Sequence, residues 1–196
     1  MNHHAGIVLA AGESQRMGTP KALLPTPDRV PLARRQAQLL EQSGCDKTVI
    51  VLGSEHEHNA LKLDWPDIAV NKEWKSKGRF SSVQTGLRCL SGYDGYFILP
   101  VDSPGIRPET VTMLRGAAES GDCKVIRPMY NGQPGHIAFL SAATALRILD
   151  TDAGENKRLD QVLKPLECLI EVDDPAVLHN VNTPEDWKEA CRNLGW

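Results

Sequence analysis

Short apolar runs that stop abruptly at a glycine or an acid set the limits on how this chain can fold. The first, Ala5-Gly6-Ile7-Val8-Leu9-Ala10-Ala11, is apolar throughout and ends at Gly12. A strand without polar alternation is buried on both faces, as inside a parallel sheet covered by helices. Thr48 to Leu52 before Gly53, and Gly95 to Val101 before Asp102, repeat the pattern. Between the first two, Pro31 to Gly44 carries Leu32, Gln36, Leu39 and Leu40 at helical spacing, opening on proline and closing on glycine. A short helix is expected from Glu55 to Leu63, a strand at Ile68 to Val70 and a polar loop from Asn71 to Gly78. A helix capped by Ser81 or Ser82 then runs to about Leu90. Beyond Asp102 the spacing predicts helix Pro108 to Ser120 and strands Lys124 to Tyr130 and His136 to Leu140. Helices Ala142 to Leu149 and Lys157 to Leu163 follow, then strand Leu169 to Val172 and helix Pro184 to Asn193 with Thr183 as its N-cap. This alternation implies an α/β fold: a single three-layer, Rossmann-like domain over residues 1–196 with a mostly parallel sheet.

Composition removes several function classes. A chain of 196 residues with 41% hydrophobic content can bury a full core, and its net charge of -3 without any Lys/Arg block argues against a nucleic-acid or anionic-membrane surface. No apolar run reaches membrane-spanning length, and Met1-Asn2-His3-His4 runs straight into the first strand without room for a signal peptide. A cytoplasmic protein is expected. The five cysteines are odd in number, widely spaced and form no C-x-x-C, so they read as reduced and mostly structural. His3, His4, His56 and His58 show no metal-ligand grouping and read as surface residues.

The segment Leu9-Ala10-Ala11-Gly12-Glu13-Ser14-Gln15-Arg16-Met17-Gly18-Thr19-Pro20-Lys21 leaves the carboxyl end of the first strand, where ligands bind in open α/β sheets. Gly12 and Gly18 permit positive φ and close backbone approach, so that N–H groups converge on anionic oxygens while Arg16 and Lys21 add full charge. It reads as a phosphate-binding loop. Neither G-x-x-x-x-G-K-[ST] nor G-x-G-x-x-G fits it, because Thr19 and Pro20 separate Gly18 from Lys21 and the glycine triplet is absent. Asp102, just past a buried strand in Leu99-Pro100-Val101-Asp102-Ser103-Pro104, suits a hard, phosphate-bound Mg²⁺, which takes one or two carboxylates; helix capping or a turn would also place an Asp there.

The first loop resembles L-A-[AG]-G-x-S-x-R-M-G-x-x-K, the signature of the MobA-like nucleotidyltransferases, which include molybdenum cofactor cytidylyl- and guanylyltransferases. The resemblance spans about Gly6 to Asn193. It implies that Arg16 and Lys21 hold the departing pyrophosphate, with Leu9, Ala10, Ala11 and Gly12 as the nucleotide-binding backbone and Asp102 as the magnesium ligand. Asn180-Val181-Asn182-Thr183-Pro184-Glu185-Asp186 resembles the family's closing D-[IV]-[DN]-T-P-E-D, with asparagine in place of both leading acids. Asn182 is then the second metal ligand, contributing an oxygen without charge, although a turn before a helix accounts for it equally. Arg79-Phe80-Ser81-Ser82-Val83-Gln84-Thr85-Gly86-Leu87 resembles the family segment beside the nucleobase, which gives Ser81 and Ser82 a base-reading role or a plain capping one. Arg127-Pro128-Met129-Tyr130-Asn131-Gly132-Gln133-Pro134-Gly135-His136 resembles R-P-x-Y-x-G-x-P-G-H-P of the cytidylyl branch, with Ile137 replacing the last proline. His136 there either orients an acceptor phosphate or is a neutral histidine at a strand start. Asp152 to Lys157 matches the family's glycine-rich loop only in part.

The implied reaction is transfer of a nucleoside monophosphate, CMP from CTP, onto a phosphorylated acceptor of the molybdenum–molybdopterin type, releasing pyrophosphate with Mg²⁺ as cofactor. Alternatives are a guanylyl- or sugar-phosphate nucleotidyltransferase and a non-catalytic nucleotide-binding regulator. A nicotinamide-linked oxidoreductase is disfavoured by the missing glycine triplet. Molybdoenzymes or their chaperones are the expected protein partners.

Overall fold

The computed structural model describes residues 2–152 and 159–196. One sheet organises it, in the strand order β3-β2-β1-β4-β7-β5-β6 with β8 on β5. The strands are β1 (His4–Ala10), β2 (Lys47–Gly53), β3 (Ile68–Asn71), β4 (Gly95–Pro100), β5 (Val125–Tyr130), β6 (Gln133–Pro134), β7 (Ala138–Ser141) and β8 (Glu167–Glu171). The helices are α1 (Leu32–Gln42), α2 (Ala60–Leu63), α3 (Trp74–Cys89), α4 (Pro108–Glu119), α5 (Ala142–Asp150), α6 (Leu159–Leu163) and α7 (Pro184–Leu194).

The expected three layers are present, and residue parity along the strands explains them. Val8, Ala10, Ile50, Leu52, Phe97 and Leu99 join a core with α1, α4 and α7. Ile7, Leu9, Val49, Val51, Tyr96 and Ile98 face the other way, into a core with α3, α5 and α6. Successive residues of a strand point to opposite faces, so an uninterrupted apolar run feeds both cores. Burying each such leucine or isoleucine contributes about 1.5–3 kcal/mol.

Pairing is parallel from β3 through β2 and β1 to β4, and between β5 and β8. β7 runs antiparallel to both β4 and β5, so the sheet is mixed there. The β5–β6 hairpin turns on Asn131 and Gly132, with φ of 50° and 74°. Two positive values in succession make the Asn-Gly turn that suits a twisted hairpin.

Several expectations are corrected. Cys123 and Cys168 form a disulfide with Cα atoms 5.9 Å apart. Pairing of β8 with β5 brings them together across a sequence separation of 45, which spacing did not reveal. His4 is buried, not on the surface, because β1 begins at that residue. Its ring lies edge-on to Phe97 and Phe139, with centroids at 6.2 and 5.3 Å. The stretch after β3 is helical from Trp74 onward, with a break at Gly78 (φ 59°, ψ -147°), where only a loop was expected. Strand His136 to Leu140 begins at Ala138 instead. Lys157 and most of the Asp152 to Lys157 loop lie outside the described residues.

Candidate active site

The carboxyl ends of β1, β2, β3 and β4 open onto one crevice. After β1 the chain makes a single 3₁₀ turn at Gln15–Met17, entered through Ser14 (φ 55°) and left through Gly18 (φ 66°). Gly18 adopts the positive φ expected of it, but Gly12 does not, and Ser14 takes the left-handed conformation instead. The Ser14 hydroxyl accepts the Lys21 amide at 3.0 Å, which closes the loop on itself. Among the described residues, the amides of Gly12, Glu13 and Ser14 donate to no protein group. A run of open N–H groups beside two cations is a place for phosphate oxygens.

Lys21 is the centre of the charged cluster. Its Nζ donates to Asn182 Oδ1 at 2.8 Å and lies 3.6 Å from Asp102 Oδ2. Burial lowers the Lys21 pKa, and the neighbouring Asp102 carboxylate works against that shift. The two oxygens expected to bind metal therefore face a common point, which the lysine ammonium serves. Asn182 is itself positioned: its Nδ2 donates to the Asn180 side chain at 2.9 Å, and its backbone N–H to Asp186 Oδ2 at 2.8 Å. Thr183 and Asp186 complete the capping box of α7, as the expected N-cap requires. Two backbone N–H bonds, from Asn182 and Thr183, hold the Asp186 pKa below its ordinary value. Arg16 is exposed and borders a shallow hollow with Glu13, Ser14, Lys21 and Asn182.

Two cavities meet in the crevice, and the smaller of them borders this cluster. The smaller, about 390 Å³, is bounded by Ala11, Gly12, Lys21, Trp74, Ser82 and Asp102, among others. The larger, about 880 Å³, reaches Lys77, Arg127, His136 and Glu167. Leu9, Lys75, Gly78, Arg79 and Pro100 line both, so they form one trough. A drug-sized ligand fills a few hundred Å³, so the trough has room for a nucleotide and a second molecule side by side.

Other expected residues land differently. Ala10 packs into the core beneath α1 and borders neither cavity. Ser81 and Ser82 are not caps, because the helix has already restarted after Gly78. Both hydroxyls donate to the Gly78 carbonyl and accept from the buried Asn71 amide, at 2.8 and 3.0 Å. Ser82 borders the smaller cavity, whereas Ser81 does not. His136 lines the larger one, and burial lowers its pKa. Arg127 is already engaged, donating to the Gly135 carbonyl and to Glu167 at 3.0 Å.

Trp74 and Lys75 were missed as site residues, and Arg79, which lines both cavities, was read only as the first residue of the Arg79 to Leu87 segment. The indole N–H of Trp74 donates to Glu55 Oε2 at 2.6 Å, and Lys75 pairs with Glu55 and, at 3.5 Å, with Glu13. These ties hold the start of α3 against the first loop. Their only trace in sequence was a polar stretch ending in Gly78, whose positive φ lets the chain turn sharply into the crevice.

Residues 6–169 match the model of the MobA-like NTP transferase domain. The chain belongs to that family. A protein of Opitutus terrae named "Probable molybdenum cofactor guanylyltransferase" is 34% identical over 125 residues, covering 63% of this chain and 59% of that one. A protein of Paenarthrobacter nicotinovorans named "Nicotine blue oxidoreductase" is 31% identical over 194 residues, 92% of each chain. The crystal structure of Rv0371c from Mycobacterium tuberculosis H37Rv superposes with a TM-score of 0.76 at 22% identity, covering 100% of this chain and 99% of that one. That last likeness establishes the shared fold.

Proposed function

We propose that this protein transfers a nucleoside monophosphate from GTP to the terminal phosphate of a molybdopterin-type cofactor, releasing pyrophosphate. The observation that carries the reading is Lys21, which bridges Asp102 and Asn182 on the wall of the smaller cavity, where that cavity borders the hollow beside Arg16. The smaller cavity takes the triphosphate against the Gly12 loop, and the larger takes the acceptor. Attack of the acceptor phosphate on the α-phosphorus moves negative charge onto the departing pyrophosphate. Lys21 and Arg16 meet that charge, and the open N–H groups of the loop hold the oxygens in place. Arg79, on the wall common to both cavities, lies where two anions must be brought together.

Mg²⁺ fits the residues present. Asp102 and Asn182 offer hard oxygens about the point that the Lys21 ammonium takes in this structure, so a metal held by them would share that place with the lysine; among the described residues no group of three or more His, Cys, Asp or Glu competes as a metal centre. Such a sparse donor set suits an ion that keeps most of its sites for phosphate and water. Bound there, magnesium would neutralise phosphate charge.

The choice of GTP rests on the guanylyltransferase name of the Opitutus relative. CTP was expected from the Arg127 to His136 segment and from Ser81-Ser82. Two of those supports are weakened, since Arg127 is tied to Gly135 and Glu167 and Ser81 borders neither cavity. The substrates assigned here go with a cytoplasmic location, and no helix among the described residues is long and apolar enough to cross a membrane.

Pyrophosphate release would be measured with GTP, CTP, ATP and UTP, magnesium and the molybdenum cofactor. GTP-dependent release supports the proposal. Preference for CTP restores the cytidylyl reading, and turnover only with a sugar phosphate removes cofactor synthesis. A second reading, oxidoreductase chemistry, is favoured by the name of the Paenarthrobacter relative. Oxidation of NADH or NADPH coupled to two-electron reduction of added nicotine blue, with no pyrophosphate from any triphosphate, would establish that reading instead.

A further inference from the structure

One buried amide sits directly behind the turn that presents Asp102. α1 turns Leu32, Ala33, Gln36, Ala37 and Leu40 inward. Four of these are apolar, and Gln36 is only 4% exposed among them. A buried amide is costly unless it is hydrogen-bonded, so its partners account for its presence. The Gln36 Nε2 lies 3.3 Å from the Pro100 carbonyl, 3.3 Å from Val101 and 3.1 Å from Ser103. An amide nitrogen carries two hydrogens, so three acceptors share two donors. These carbonyls flank Asp102 on both sides. The Asp102 carbonyl accepts the Val181 N–H at 2.8 Å, from the strand of loop that carries Asn182. Within the turn itself, the Ser103 amide reaches the Pro100 carbonyl at 3.2 Å.

Gln36 borders none of the hollows on the crevice side. It therefore acts on the reaction only through the backbone it holds. Among the described residues its Oε1 is buried without a hydrogen-bond partner, so there the side chain has no bonding role besides these three carbonyls.

We propose that Gln36 is a positioning residue, which fixes the 100–103 turn so that the Asp102 carboxylate stands beside Lys21 and Asn182; this rests on the role given to Asp102 above. A displacement of about 1 Å at a reacting centre can cost on the order of 10²-fold in rate. The chain thus places a donor from α1 under the turn instead of leaving the carbonyls to one local bond.

The test compares wild type with Gln36→Met, Gln36→Asn, Leu40→Ala and Asp102→Asn, all as full chains. Steady-state pyrophosphate release gives kcat and KM, melting gives stability, and hydrogen exchange reads the amides of residues 101–103. Gln36→Met keeps the side chain's length and loses the donor; Gln36→Asn keeps the amide but falls short, and serves if the methionine variant does not fold. We expect kcat to fall on the order of 10–100-fold, with KM for the triphosphate changed by less than about threefold and faster exchange confined to the turn. Leu40→Ala, an apolar deletion on the same helix face, lowers the melting temperature without that fall in kcat. A folded Gln36 variant with wild-type kcat and wild-type exchange overturns the proposal, as does an equal loss of kcat in Leu40→Ala. If Asp102→Asn turns over normally, the assignment of Asp102 fails and the proposal with it. An inactive Asp102→Asn beside a fully active Gln36→Met removes Gln36 alone.

Discussion

The parallel half of the sheet and the mixed half solve different problems. From β3 to β4 the strands run in one direction, so their carboxyl ends release loops at a common edge, and the Gly12 loop, Asn71 and Asp102 meet there. The other half, β5 to β8, is cross-tied: Cys123 to Cys168 by a disulfide, Arg127 to Glu167 by a 3.0 Å ion pair, and Arg127 to the Gly135 carbonyl. One half presents groups for chemistry, and the other holds a wall in place. Changes in the first should therefore act on rate, and changes in the second on stability.

Lys21→Ala is the strongest probe of that division. We expect turnover to fall on the order of 10²-fold, because the lost interaction grows as charge reaches the leaving group. Melting should shift little, since Lys21 stands at the crevice and not in the core. Steady-state rates and thermal melting would be read on the same samples. An active variant, or one that merely melts early, would show that the loop is structural.

Cys123→Ser should do the reverse. With a sequence separation of 45, the disulfide constrains the unfolded chain by up to about 4 kcal/mol on the loop-entropy estimate. Turnover at 25 °C should stay within about twofold, as neither sulfur borders the trough. A reductant should lower the melting temperature of wild type and leave that of Cys123→Ser unchanged. If both proteins melt alike before reduction, the tie contributes nothing.

The smallest effect is expected from pH. Burial holds the His4 pKa below 6.5, so the unfolded chain takes up that proton first. Stability from the neutral ring is present above pH 6.5 and is lost as pH falls through 6.5 towards the folded value. His136 is shifted in the same direction, which makes it the second contributor. Denaturant unfolding at several pH values should show a shallower acid loss in His4→Leu than in wild type. Identical slopes would rule out His4 as a contributor.

How much of this could be read in advance follows the same division. The parallel strands were legible because continuous apolar runs ending in glycine or aspartate carry both their burial and their exits. Lys21 and Asp102 were singled out because their segments leave such exits, whereas Asn182 came only from the likeness of Asn180 to Asp186 to the family's closing segment; the structure brings the three side chains together. Other features depend on pairing between distant segments. The disulfide needed β8 beside β5, the burial of His4 needed Phe139 from β7, and the contact of Ser81 with Asn71 needed α3 to restart at Gly78. Gln36 was read as one member of a helical apolar pattern, and that pattern could not show which carbonyls its amide would find. The Asn131-Gly132 pair is a different case, since its turn signal was present in the sequence and went unused.

The approach of α3 to β2 carries one last consequence. A Cβ placed on Gly53 would come within 2.6 Å of the Trp74 indole nitrogen and 2.5 Å of the Ala11 carbonyl, so the ring lies flush against the crevice edge of the sheet. Of the four tryptophans, Trp74 alone borders the trough; Trp187 and Trp196 contact each other at 5.9 Å, and Trp65 donates to the Thr48 carbonyl. The protein thereby contains its own optical reporter. Intrinsic emission that changes on adding a triphosphate, and stops changing once Trp74 is replaced by phenylalanine, would follow occupancy in real time without label or acceptor.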